Sequence, residues 1–415
     1  MTDQVTHAWS GELAAQRDGF AVLDEVGALR DAGETARVRT PFGHEATMVS
    51  RWDDVRELHG DPQRFRLDAV PAPPAMVAAG RDTEEFRRRQ AGNLLGQDPP
   101  DHTRLRRMLT GEFTVKRMRR LVPRVEEIVA EHLDAMAEAG PEAARSGAEL
   151  PRRRPMTELV ADFALPVPSM VICELLGVPY ADRGGFTERS ARQLNSTIEP
   201  QERMRLADAS REYMRDLVDR HRRDPGDDLL GMLIREHSDD VTDDELVGIG
   251  NLLLVAGHET TSNMLSLGTL ALLEHPDQLA RVRDDPSAVD GAVEELLRWL
   301  TVVHGGFPRA ATQDTTIGRH PVAAGELVIS SLAAANRDPA AVEGGETLDV
   351  TRAPSPHLAF GHGIHHCLGA PLARIEMRVA FPALLRRFPT LRLAGEPEFR
   401  HRTLIYGLHR LPLAW

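Results

Sequence analysis

Cysteine is almost missing from this chain: its 415 residues include two, Cys173 and Cys367. Two thiols cannot build a disulfide framework, so a reducing cytoplasm is the expected home. Lysine occurs once, at Lys116, which leaves the basic charge to arginine. No apolar run approaches the ~18 residues needed to span a bilayer, and the opening segment "MTDQVTHAWSGELAAQRDG" has none that resembles a signal peptide. Neither entry into a membrane nor a span is expected. The net charge of −13 argues against nucleic acid as the main partner. No Gly/Ser-rich or Pro-rich linker and no internal repeat divides the chain, so residues 1–415 read as a single domain. Familiar motifs are missing too. Gly361-His362-Gly363 lacks the third glycine of a dinucleotide fingerprint, and the only lysine is not in a Gly-Lys phosphate loop. His258 begins "HETTS" like a zinc-protease helix, but Ser262 stands where a second histidine is needed, and no Gly-x-Ser-x-Gly elbow exists.

What is present is an ordinary globular composition, 41% apolar and 27% charged, enough to bury a core around a sizeable ligand. Three- and four-residue apolar spacing in "LVPRVEEIVAEHLDAMAEAG" predicts a helix ending at Gly140. The following "PEAARSGAELPRRRP" reads as a surface loop, and "SMVICELLGVP" as a buried helix end with Cys173 as a small core residue. Thr242-Asp243-Asp244-Glu245 is a capping-box start to an apolar helix reaching Glu274. At ~1.5 Å per residue that helix is about 50 Å long and crosses the molecule. Short alternating runs in "TTIGRHPVAAGELVISS" and "TLIYGLHRLPLAW" predict strands, too few for an all-β protein. The expected class is mainly α (α+β), with small peripheral sheets.

The chemistry concentrates in "FGHGIHHCLGAPLAR", Phe360 to Arg374. Helical spacing follows Cys367, with Pro371 in the first turn, where a missing N–H costs little. The thiol therefore sits at a helix N-terminus, where unpaired N–H groups and the helix dipole favour the thiolate. The glycines before it allow backbone to approach something flat or bulky. Spacing alone leaves two ligands open. Zinc could recruit His362, His365, His366 and Cys367, whereas a haem iron needs only the thiolate.

The string Phe360-Gly361-x-Gly363-x-His365-x-Cys367-x-Gly369 resembles, at every fixed position, the haem-binding loop of the cytochrome P-450 family. The resemblance implies haem b, buried between the long helix and the cysteine-loop helix, with Cys367 as axial iron ligand. It places Phe360 beside the sulfur, Gly361 and Gly369 in the cradle, and His365 at a haem propionate. In "AGHETT" it gives Ala256 and Gly257 the task of leaving room for haem and oxygen. Thr260 falls beside the oxygen and Glu259 in a water-borne proton relay, while His258 receives no role. Glu295 and Arg298 in "EELLRW" match the family's structural pair. His102 and Arg106, four apart on one helix face, resemble its propionate contacts together with Arg309 and His365. Three departures stand out: Thr347 where a base usually completes the Glu-Arg network, Pro382 inside the helix after Cys367, where it is expected to kink or end it, and a long "PEAARSGAELPRRRP" loop.

The implied activity is that of a haem-thiolate monooxygenase, inserting one oxygen atom from O2 into a C–H or double bond of a bulky lipophilic small molecule. A macrolide, polyketide or related secondary metabolite heads the substrate expectations. The pocket is expected from residues 66–96 and 168–205, the helix before Ala256, Val302 to Phe307, and Leu404 with Ile405. No fused reductase or ferredoxin domain is expected, so ferredoxin and ferredoxin reductase must act in trans. From Arg104 to Arg124 eight basic residues face one acid, Glu112. Arg107, Lys116 and Arg117 in that stretch are the expected docking contacts for an acidic electron donor. Two rivals remain: a haem-thiolate enzyme that uses peroxide or does not oxygenate, which would need neither Glu259 nor Thr260, and a zinc-binding non-enzymatic protein.

Overall fold

The computed structural model describes residues 17–40, 43–72, 90–142, 156–185, 189, 200–401 and 403–415. Helical apolar spacing yields the helices that frame the site: α1 (Asp101–Thr110), α2 (Val122–Glu142), α3 (Pro166–Leu176), α4 (Pro200–Arg223), α5 (Asp243–Glu274), α6 (Val289–Leu300) and α7 (Ala370–Arg387). The capping box of α5 is formed in full. Thr242 Oγ1 accepts from the Glu245 N–H at 3.2 Å, and the Glu245 carboxylate accepts from the Thr242 N–H at 2.9 Å. Such a cap contributes about 1 kcal/mol and fixes where the helix begins. The helix then runs for 32 residues, as its unbroken apolar character requires of a central element. It packs against α3, α4 and α7, with Leu246, Val247, Ile249 and Leu267 fully buried.

The sheets are small and lie at the margins. One has five strands in the spatial order Ala36–Arg39, Glu45–Val49, Leu327–Ser330, Arg309–Ala311, Phe65–Arg66. Its Glu45–Val49 and Leu327–Ser330 strands run parallel; the other neighbours are antiparallel. Met156–Glu158, Pro412–Ala414 and Arg392–Leu393 make a second sheet, and Glu398–Phe399 pairs with Leu408–Arg410 in a bulged hairpin. Thr315–Ile317 and His320–Val322 form the remaining pair. The mainly helical architecture with small sheets is the one expected.

Cys173 is fully buried in the main core, and burial pushes its thiol up to about 12, so it is an apolar core residue in chemical terms. Two helix ends differ from those expected. Helix α2 continues two residues beyond Gly140, to Glu142. Pro382 neither ends nor divides α7, which stays helical to Arg387. Burial of Met377, Ala380, Phe381, Leu384 and Leu385 on both sides of the proline holds the turns together despite the lost backbone bond. Residues 143–155 of the expected surface loop lie outside the described residues. Among the described residues no helix is long and apolar enough to cross a membrane.

Candidate active site

The loop before α7 folds back on itself. The Cys367 N–H donates to the Phe360 carbonyl at 2.8 Å, and the Gly361 N–H donates to that of Leu358 at 2.8 Å. Gly361 and Gly363 both have φ near 71°, the left-handed region that a side chain disfavours. A β-carbon on Gly363 would also come within 2.3 Å of the His59 carbonyl oxygen, so the loop lies directly on the end of the Trp52–Gly60 helix. A β-carbon on Gly369 would sit 4.0 Å from Cys367 Sγ.

The Gly369 and Ala370 N–H groups donate to the Cys367 sulfur, as the helix-terminus reading expected. Cys367 is exposed to the space beside the loop, yet the protein packed around its sulfur still raises the thiol above its ordinary value. Those N–H donors, Arg106 and Arg374 act in the opposite direction. Arg374 stands 4.5 Å above the Phe360 ring and makes a two-pronged pair with Glu294, both contacts at 2.7 Å. Burial alone would raise the Glu294 carboxyl, but Arg374 and His357 bring it down to about 2.

Beside this loop His102, His365, Arg309 and Arg106 gather, and several of their buried nitrogens find no acceptor. His102, on α1, is 2% exposed, and its ring centroid is 4.3 Å from that of His365. Neither nitrogen of His102, nor His365 Nε2, nor Arg309 Nε has a hydrogen-bond partner. His365 Nε2 reaches only to 3.9 Å from Asp98 Oδ1, while Asp98 Oδ2 is occupied by the Leu67 and Asp68 N–H groups at 2.6 and 3.0 Å. Burial, aided by neighbouring cations, lowers His102 to about 4; burial lowers Arg309 to about 10. Arg106, one turn after His102, donates to the His366 carbonyl at 2.6 Å. Buried donors with no acceptor are costly, and these imidazoles, set beside the cationic Arg309 and Arg106, suit an anionic group held between them. The propionates of a haem have that chemistry, and the residues present fit it.

On α5, Gly257 faces Ile172 of α3 so closely that a β-carbon would stand 3.0 Å from its Cδ1. Ala256 precedes it, and its carbonyl accepts from Thr260 Oγ1 at 2.6 Å. Glu259 is 8% exposed and accepts from Arg400 Nη1 at 2.7 Å. Burial raises its carboxyl and Arg400 opposes the rise. His258 is fully buried, and burial lowers it to about 4.

Glu295 and Arg298 form a buried pair, with both contacts at 2.8 Å, as the family resemblance implied. Arg298 also donates to the Asn336 and Gly345 carbonyls at 2.9 and 2.7 Å. Thr347 supplies no base, but Arg352 Nε reaches Glu295 Oε1 at 3.1 Å, so the network is completed five residues further along the chain. Val302 to Phe307 and the segment after Thr403 are joined: the Tyr406 N–H donates to Val302 at 2.7 Å, and His304 Nε2 lies 2.6 Å from the Thr403 carbonyl. Residues 73–89 and 190–199, also expected at the pocket, lie outside the described residues.

In the basic stretch, Arg107, Lys116, Arg119 and Arg120 are exposed. Arg117 is paired with Glu112, Arg104 with Glu245, and Arg124 with Glu174 at 2.8 Å. Spacing had not revealed Asp98, Glu294, Arg374, Arg352 or Arg400. Among the described residues no three His, Cys, Asp or Glu side chains converge as a metal site, which removes the zinc reading of the histidine cluster.

A cysteine loop at a helix N-terminus, flanked by buried basic side chains without acceptors, is the arrangement of a haem-thiolate protein. Residues 186–405 match the cytochrome P-450 family. Cytochrome P-450 FAS1 of Rhodococcoides fascians is 42% identical over 97% of this chain and 98% of its own. The mycinamicin IV hydroxylase/epoxidase of Micromonospora griseorubida is 40% identical over 96% of each. The solved structure of StaH, a cytochrome P-450 from glycopeptide antibiotic biosynthesis, superimposes with a TM-score of 0.84 at 43% identity, covering 97% of this chain and all of that one. The chain belongs to the cytochrome P-450 family. It is a monooxygenase whose cofactor is haem b.

Proposed function

We propose that the chain oxygenates a bulky lipophilic small molecule of the macrolide, polyketide or related secondary-metabolite kind, by hydroxylation or epoxidation. Ferredoxin and ferredoxin reductase supply its electrons. When bound, haem supplies the iron at which O2 is activated with two electrons, one oxygen atom entering the substrate. Cys367 furnishes the anionic sulfur ligand, with Phe360, Gly361 and Gly369 shaping the loop around it. His102, Arg106, Arg309 and His365 hold the propionates. Ala256 and Gly257 would leave room on α5 for the haem, and Glu259 and Thr260 conduct protons inward, since an alcohol and an acid in an otherwise apolar helix are costly without such a task. Glu295 and Arg298 secure the scaffold.

The observation that carries this reading is the group of unpartnered buried donors on His102, His365 and Arg309 next to the Cys367 loop. Similarity to the mycinamicin IV hydroxylase/epoxidase supports the substrate class. The test is the absorption spectrum of purified protein with reductant and carbon monoxide. A thiolate-ligated carbonyl band is expected, and Cys367→Ser should lose both that band and oxygenation, because a neutral hydroxyl is a poor substitute for an anionic sulfur donor. Retention of both would rule out ligation by Cys367. A binding screen of macrolides, read through the spin-state shift of the iron, tests the substrate class.

A further inference from the structure

Asp98, three residues ahead of α1, is an acid set among the basic side chains beside the cysteine loop. Its side chain is fully buried. The backbone carbonyl accepts from the His102 N–H at 3.1 Å. One carboxylate oxygen, Oδ2, accepts from the Leu67 and Asp68 N–H groups, where the chain leaves the Phe65–Arg66 strand. That strand pairs with Arg309–Ala311, so Arg309 is held against the same segment. The other oxygen, Oδ1, is buried without a hydrogen-bond partner and faces His365 Nε2 at 3.9 Å, which has none either. Burial alone would raise this carboxyl, but His365, the Asp68 and Leu67 N–H groups and Arg66 bring it down to about 2, so the charge persists at neutral pH.

A site that receives carboxylates gains nothing from an acid competing for its donors, unless that acid serves another residue. We propose that Asp98 is a positioning residue for the haem: it acts through His365, holding one edge of the imidazole so that the other is presented to a propionate, while its second oxygen ties the Leu67–Asp68 segment to the same ring. This rests on the reading of His365 as a propionate contact. An ionised carboxylate only accepts, so a ring held between Asp98 and a propionate presents an N–H to each. An imidazole free to turn about its two side-chain bonds loses that freedom on binding, and an anion fixed at one nitrogen removes it beforehand. The pocket segment after Arg66 and the hold on the cofactor thus share one carboxylate.

The experiment compares Asp98→Asn, Asp98→Ala, His365→Ala and the Asp98→Asn/His365→Ala double variant as holoenzymes. The asparagine oxygen can still accept from the Leu67 and Asp68 N–H groups, but the charge facing His365 is gone. The readouts are the rate at which haem passes to excess apomyoglobin, the propionate bending band in the resonance Raman spectrum, and hydrogen exchange at the Leu67 and Asp68 amides. Asp98→Asn is expected to speed haem release about 5-fold and to shift the propionate band in the direction that His365→Ala does. Exchange at the two amides should stay within about 2-fold of wild type in Asp98→Asn and rise about 10-fold or more in Asp98→Ala, which loses their acceptor as well. In the His365→Ala background, Asp98→Asn should change release less than about 1.5-fold. Unchanged release or an unmoved band in Asp98→Asn, or effects on release that multiply in the double variant, would overturn action through His365 while leaving His365 as a propionate contact. Faster release that comes with faster amide exchange in Asp98→Asn would reduce the carboxylate to a clamp on the segment and overturn the proposal too. If His365→Ala matched wild type in release and band, the propionate reading and the positioning role would fall together.

Discussion

Thr260 spends its hydroxyl proton on the Ala256 carbonyl, a local bond at 2.6 Å that leaves the oxygen's lone pairs free to accept from another donor. Alanine removes that oxygen without disturbing the helix, whose own ladder is intact. Thr260→Ala is therefore expected to bind haem and consume reductant, while product per reductant oxidised falls at least ~5-fold as electrons are diverted to peroxide or water. An unchanged ratio would mean that solvent replaces the hydroxyl. At this scale the residues legible in the sequence were those whose neighbours are local. Cys367 announced itself through one loop, and Glu295 with Arg298, like His102 with Arg106, through a single helix face. The residues that escaped notice have distant partners: Glu259 and Arg400 are 141 positions apart, Glu294 and Arg374 80, and Glu295 and Arg352 57. No spacing rule connects such pairs, because only the fold brings them together.

Elements show the same division. The start of α5 could be placed from its capping box, whereas the persistence of α7 through Pro382 could not, since tertiary burial decides it. Helix α4 supplies a case where one contact governs an element boundary. Near its end His221 Nδ1 meets the Leu217 carbonyl and Nε2 meets Asp228 Oδ2, both at 2.9 Å, while Asp228 caps the Leu229–His237 helix through the Gly231 N–H. Two acceptors facing one ring require both nitrogens to carry protons. The bond to Asp228 accordingly raises His221, and burial of Asp228 is outweighed by its hydrogen bonds, which lower it. The contribution of the raised histidine is complete below its ordinary value of ~6.5 and fades as pH rises through the folded value; that of the lowered aspartate is present above ~3.9 and fades as pH falls through its folded value. Stabilisation is thus greatest between these limits. His221→Gln should cost about 1–3 kcal/mol near pH ~6 and less above pH ~8, seen as a difference in Tm that narrows with rising pH. A constant difference would show that the ring acts by packing alone.

For the whole molecule, the sign of charge changes with place. The net charge is −13, yet Arg107, Lys116, Arg119 and Arg120 are exposed together. An acidic ferredoxin would be drawn there, mostly through a faster encounter. Changing Arg107, Lys116 and Arg117 to alanine is expected to slow ferredoxin-supported turnover. Wild-type turnover should fall as salt rises from about 0.05 to about 0.3 M, where the Debye length drops below ~10 Å. Peroxide-driven turnover needs no partner and should be largely spared; equal losses in both assays would assign the patch to haem binding or folding. Arg117 is already held by Glu112 and should contribute least of the three.

Lys116 carries a further consequence, because it is the only lysine side chain and it lies exposed in that patch. Carbodiimide chemistry joins a carboxylate to a primary amine and leaves guanidinium groups untouched. Apart from the amino terminus, a carboxylate of an acidic protein resting on this one can be joined to it only at Lys116, whereas links between this protein's carboxylates and the partner's amines form a separate set. A single amide, located by mass spectrometry, would then serve as a surveyor's fixed mark: every acidic residue recovered in the link lay within bonding reach of one known nitrogen when the two proteins met.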